Sequence, residues 1–233
     1  MKIIAALLFF LIVPGLAFSG GMNDDPLLTM LVVDQLEIRD IEGSDPLVWD
    51  AESWIGKDLH KLWIKTEGEY LSSRVEEVEL QVLYSRAVAP FWDLQLGWRR
   101  NIRPTPNRDW LAFGIKGLAP YFFDIDAALF VGDAGRTAAR LQVEYEIMLT
   151  QRLILVPDIE LNLYGKDDPA TGIGSGLSNI EAGLRLRYEI RREFAPYIGL
   201  NWTKFYGDTA DFARAEGGDT DDIQFVFGVR SWF

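Results

Sequence analysis

The chain has 233 residues, no cysteine and a formal net charge of −12, with 48 % hydrophobic and 25 % charged residues. That balance excludes disordered, collagen-like and coiled-coil chains, and the absence of cysteine excludes disulfide frameworks, thiolate metal sites and cysteine nucleophiles. The acid excess argues against nucleic acid, which selects basic patches; it favours cations, or a charged lumen. Beyond residue 20 no run approaches the ~20 apolar residues that a spanning helix needs.

Met1-Lys2 is a short basic start. An apolar run from Ile3 to Val13 follows, then Pro14 to Ser19, in which Ala17-x-Ser19 fits the small-residue rule of signal peptidase. Residues 1–19 are therefore expected to be a cleaved signal peptide, residues 20–26 a short periplasmic tail, and 27–233 a single β domain.

From about residue 30 the hydrophobic period is two, not 3.6. Leu141, Val143, Tyr145, Ile147 and Leu149 alternate with Gln142, Glu144, Glu146 and Met148, and 180–190 repeats the pattern with Arg185 and Arg187 on the polar face. The alternation predicts twelve strands, at about 27–41, 46–55, 59–68, 74–88, 91–103, 108–118, 121–132, 136–149, 152–164, 179–190, 194–206 and 222–233. Many exceed the usual ~5–6 residues and fit the ~9–11 of a tilted membrane-spanning strand. Tight turns such as Gly56-Lys57-Asp58 and Ala89-Pro90 alternate with a second set of loops that lengthens to 165–178 and 207–221. Short turns at one end and longer loops at the other is the layout of an outer-membrane barrel.

The polar face carries charges of both signs, among them Glu37, Glu52, Lys65, Glu79, Lys116, Asp126, Arg140, Glu144, Asp158 and Arg185. A dry core cannot hold so many charges, whereas a narrow wet lumen lets them pair across strands. Trp54, Phe91, Tyr121 and Phe122 near the short turns, with Trp98, Trp110, Tyr164 and Trp202 near the loops, are expected to form two interfacial belts. The chain ends on the alternating strand Ile223 to Phe233. A terminal Phe on such a strand resembles the signal read by the outer-membrane barrel assembly machinery, with Ser231 where an aromatic usually stands.

Chemistry-bearing residues are few. His60 is the single histidine, and Ser53 across its hairpin is the one serine near enough to pair with it; no motif around Ser53 supports a hydrolase. Gly172-x-Gly174-x-Gly176 has no following helix and is no phosphate cradle. Soft ligands are limited to His60 and the methionines: Met22 in the tail, Met30 at the start of strand one, and Met148 with inward parity beside Glu144 and Glu146. Thioethers suit Cu(I), carboxylates and imidazole Cu(II). Spacing alone gives no site, and Met148 taken bare reads as packing filler.

Several long stretches together resemble copper resistance protein B, an outer-membrane protein of bacterial copper-resistance systems. They are Leu62 to Glu69, Gln81 to Asp93, Gly117 to Phe122, Leu149 to Leu155, Gly183 to Tyr197 and Gly228 to Phe233, the last departing at Ser231. The resemblance implies an outer-membrane barrel that binds copper ions and helps sequester or export them, with no enzymatic reaction. Many members carry a long Met- and His-rich periplasmic segment before the barrel; here residues 20–26 hold a single Met22. Copper handling is then expected to fall to the lumen, with Glu144, Glu146, Met148, Met30, Met22 and His60 as candidate ligands, or to a separate periplasmic partner such as the copper-resistance multicopper oxidase. A passive small-solute channel of the same fold is the alternative expectation, and a Ser53–His60 hydrolase a third.

Overall fold

A computed structural model describes residues 25–40, 45–72 and 74–233. The expected signal peptide, the expected tail up to Asp24 and its Met22 lie outside the described residues. Among the described residues the strands are β1 (Leu28–Asp40), β2 (Leu47–Gly56), β3 (His60–Leu71), β4 (Arg74–Ala89), β5 (Trp92–Arg103), β6 (Arg108–Ala119), β7 (Phe123–Gly132), β8 (Thr137–Glu144), β9 (Ile147–Met148), β10 (Leu153–Tyr164), β11 (Gly176–Tyr188), β12 (Phe194–Phe205) and β13 (Asp221–Trp232), with one α-helix, α1 (Gly207–Ala215). Each pairs antiparallel with its neighbours, and β13 pairs with β1, so the sheet closes into a barrel. β8 and β9 share one register on β10, with Glu144 opposite Asp158 and Met148 opposite Ile154. They are two pieces of one wall strand, and the wall has the twelve strands expected. Closure leaves no unpaired edge, the condition for crossing lipid with strands.

The two faces divide as the alternation requires. Leu62, Ile64, Leu94, Leu96, Leu111 and Phe113 are exposed on the outside, whereas Glu37, Glu79, Arg99 and Arg185 are buried inside. An apolar exterior around a charged interior inverts a soluble sandwich and suits a membrane-spanning barrel.

Five details depart from the sequence reading, each for a local reason. The eighth strand breaks at Tyr145-Glu146 because its partner there is Pro157. Tyr145 donates to the Pro157 carbonyl at 3.1 Å, but proline has no N–H to return. Strand β11 starts at Gly176, three residues early, because a bulge after Asn162 shifts the register and sets Leu163 opposite Leu177. The seventh strand starts at Phe123, not Tyr121. Pro120–Phe122 form a 3-10 turn in which Tyr121 and Phe122 take φ of 68° and 66°. The 207–221 loop holds α1, which has Asp208 in its first turn and Arg214 in its last, both favourable to the helix dipole.

The belts are the fifth. Phe91, Tyr121 and Phe122 do stand exposed at the short-turn rim. Trp54, Trp110 and Tyr164 instead turn inward and pack with Trp63, Leu83 and Phe130. Proximity to a strand end says nothing about which face a ring occupies.

Candidate functional site in the barrel lumen

The lumen is built from register. Strands β7, β8 and β10 set Asp124, Glu144 and Asp158 directly opposite one another. Strands β2, β3 and β4 likewise align Asp50, Glu67 and Glu79. Like charges opposite each other repel, so each row needs cations from elsewhere. Neighbouring strands supply Arg185 to Asp158 and Arg99 to Glu79, and further cations come from across the barrel. Arg140 of β8 reaches Glu67 at 2.7 Å, Glu79 at 3.1 Å and Glu160 at 3.4 Å. Lys116 of β6 meets Glu52 of β2 at 2.7 Å, and Lys65 of β3 meets Asp126 of β7. Apart from Arg140–Glu160, which joins neighbouring strands, these Arg140, Lys116 and Lys65 contacts link strands four or five apart and run through the lumen, not along its wall.

The other side centres on Glu37, which is 0 % exposed. Arg185 grips it with two bonds, Nε to Oε2 at 3.0 Å and Nη2 to Oε1 at 2.9 Å. Arg39 donates to Oε1 and the Tyr197 hydroxyl to Oε2, each at 2.9 Å. Arg185 also donates from Nη1 to Asp158 at 2.6 Å. Two glycines make room for this network. A Cβ on Gly183 would lie 2.1 Å from Arg185 Nη1 and 2.2 Å from Asp158 Oδ1. A Cβ on Gly228 would lie 2.5 Å from Cζ of Tyr197 and 2.7 Å from Cβ of Glu37. Gly228 stands between Tyr197 and Glu37 in register, so the Tyr197–Glu37 bond crosses over the last strand at the seam where the barrel closes.

The candidate ligands are dispersed. Glu144 forms no ion pair among the described residues, while Glu146 is held by Arg187 at 2.5 Å. Met148 has the inward parity expected but sits at the short-turn rim, 74 % exposed. Met30 is opposite Trp54 at the same end of the barrel, on a distant strand. His60 is exposed at that rim; its Nδ1 lies 2.5 Å from the Tyr84 hydroxyl and its ring stacks on Tyr84. Ser53 pairs with Leu31 and Ile64, away from His60. Among the described residues, no three His, Asp or Glu side chains are arranged to hold a metal ion.

Asp34 was not singled out from the sequence. It is the extra residue of a bulge in β1, where the period of two slips, and it accepts from Arg230 Nε at 3.0 Å. The seam glycines were missed as well, although a glycine opposite a tyrosine on an inward row is legible once register is fixed.

The family described as "Copper resistance protein B precursor (CopB)" matches residues 27–233, the described wall. A copper resistance protein B homolog of Pseudomonas syringae pv. tomato is 45 % identical over 212 residues, 91 % of this chain and 72 % of that protein. Copper resistance protein B of Escherichia coli is 44 % identical over 213 residues, with the same coverage of each chain. Among solved structures the NanC porin is similar in fold, with a TM-score of 0.56 at 12 % identity over 88 % of this chain and 99 % of that one. Six motifs in one order, a closed charged barrel and these matches agree: the chain belongs to the copper resistance protein B family.

Proposed function

We propose that this chain is an outer-membrane copper-resistance protein that binds copper ions weakly in its lumen and helps sequester or export them. The observation that carries the reading is the family match, which spans the whole described wall. The lumen supplies a chemical rationale. Asp124 and Glu144 lie in one row without an ion pair among the described residues, and Met148 stands on the same wall strand nearer the rim. Carboxylates suit Cu(II) and a thioether suits Cu(I). Dispersed ligands favour brief, serial contacts over a closed cage. Copper enters from the periplasmic rim or from a partner such as a multicopper oxidase, and the C-terminal strand is what the barrel assembly machinery reads. The role requires no reaction.

The fold likeness to porins supports no solute specificity, and the pairs crossing the lumen disfavour a passive open channel. Metal analysis of the refolded barrel, with competition against a Cu(I) chelator, tests the reading. Retained copper that falls in Glu144→Gln and Met148→Leu is expected. No copper retained by the wild type, with copper tolerance unaffected by both substitutions, overturns it.

A further inference from the structure

The β10–β11 loop, residues 165–175, folds over the loop-side mouth of the barrel. Asp168 at its bend is 8 % exposed. It accepts from Arg108 at the start of β6 through Nε at 2.6 Å and Nη2 at 2.9 Å, and Arg136, just before β8, lies 3.8 Å away. The bend is preformed: Asp168 N–H donates to the Ile173 carbonyl at 2.7 Å, and Thr171 N–H donates to the Asp168 carbonyl at 3.0 Å. The loop's other end is tied to α1, where Thr209 accepts from Gly174 N–H at 2.8 Å and its hydroxyl lies 2.9 Å from that of Ser178. Beyond the Arg108 rim contact, the loop reaches the β7–β8 turn through an exposed Lys166 bond to the Ala134 carbonyl at 3.5 Å. Beneath it lies a cavity of about 40 Å³ whose lining includes Glu77, Asn101, Trp110 and Tyr164.

A bidentate arginine–carboxylate pair is among the strongest polar contacts a surface segment can make. Here it fastens a strap whose other end is already anchored. We propose that residues 165–175 form a strap closed over the β4–β8 half of the mouth, with Asp168 on Arg108 as its latch, and that releasing the latch admits small hydrated solutes from outside to the cavity beneath.

The chain has no cysteine, so a single introduced thiol reports without background. Ala138→Cys adjoins the cavity, 8 % exposed and opposite Tyr164, which lines it; Asp219→Cys, beyond α1, is exposed. In whole cells a membrane-impermeant methanethiosulfonate ammonium reagent is expected to label Ala138→Cys at least tenfold faster when Asp168→Asn is added, and equally when Arg108→Gln is added instead. Labelling of Asp219→Cys is expected to stay unchanged. Heat-modifiable migration on gels confirms that each variant is folded. Equal labelling of Ala138→Cys with and without the latch overturns the proposal, as does loss of the folded barrel in both latch variants, which makes the pair a folding requirement instead.

Discussion

Arg140 faces three carboxylates at once, two from the wall opposite and one from its neighbour. Removing one partner of a buried pair costs about 3–5 kcal/mol, because the remaining charges stay desolvated. Arg140→Ala is therefore expected to lower the stability of the refolded barrel by about that much in urea titrations followed by tryptophan fluorescence. Tyr197→Phe removes one hydrogen bond to a charged group and should cost about 1.5–3 kcal/mol. Gly228→Ala should cost more than Tyr197→Phe, since its Cβ displaces the whole ring; a smaller loss would refute the seam contact. At the rim, Arg108 holds the Asp168 carboxyl below the ordinary carboxylate range by hydrogen bonding. A lowered folded-state value means the contact stabilises above the ordinary pKa of about 3.9 and is lost as pH falls through the lower value. Labelling under the strap, taken relative to Asp219→Cys at the same pH because the thiolate is the reacting form, should stay flat from pH 7 to 5 and rise only below about 4.

At the scale of elements, register decides which charges meet. Glu144 is flanked by Asp124 and Asp158 in one row, and the nearby Arg185 serves Asp158. Relieving that repulsion should make Glu144→Gln more stable than wild type by about 0.2–1 kcal/mol, the range of cross-strand pairs. If this row contacts copper, the same substitution weakens retention, so stability and copper binding should move in opposite directions. Loss of both would show Glu144 to be structural. The strand break at Pro157 and the bulge at Asp34 are also element-scale effects. Each follows from one missing N–H or one extra residue, and each moves side chains that a strict period of two assigns elsewhere.

For the whole molecule, the pairs that cross the lumen set its permeability. Lys116–Glu52, Lys65–Asp126 and Arg140–Glu67 link opposite walls. The wild-type barrel should therefore conduct poorly in planar bilayers, and Lys116→Ala with Glu52→Ala should raise conductance several-fold at fixed salt. High conductance in the wild type would restore the passive-channel reading. Closure of β13 on β1 places the last strand under the Tyr197–Glu37 contact, which ties assembly of the C-terminal strand to completion of the buried network.

Strand number, the inward and outward faces and the alternation of short turns with long loops were all legible from residues 27–233. A period of two in charge and hydropathy is a local property, and lipid outside with water inside leaves one way to satisfy it. The motifs in 62–69, 81–93 and 183–197 carried the family as well. The partners of the charges were not legible. Whether Arg140 serves Glu67 or Asp158 and whether Asp168 ends a free loop or latches a strap both depend on which strands stand opposite when the sheet closes. Closure brings together residues 60 to 196 positions apart in the chain, and electrostatic energy depends on distance in space, a quantity that sequence spacing does not contain.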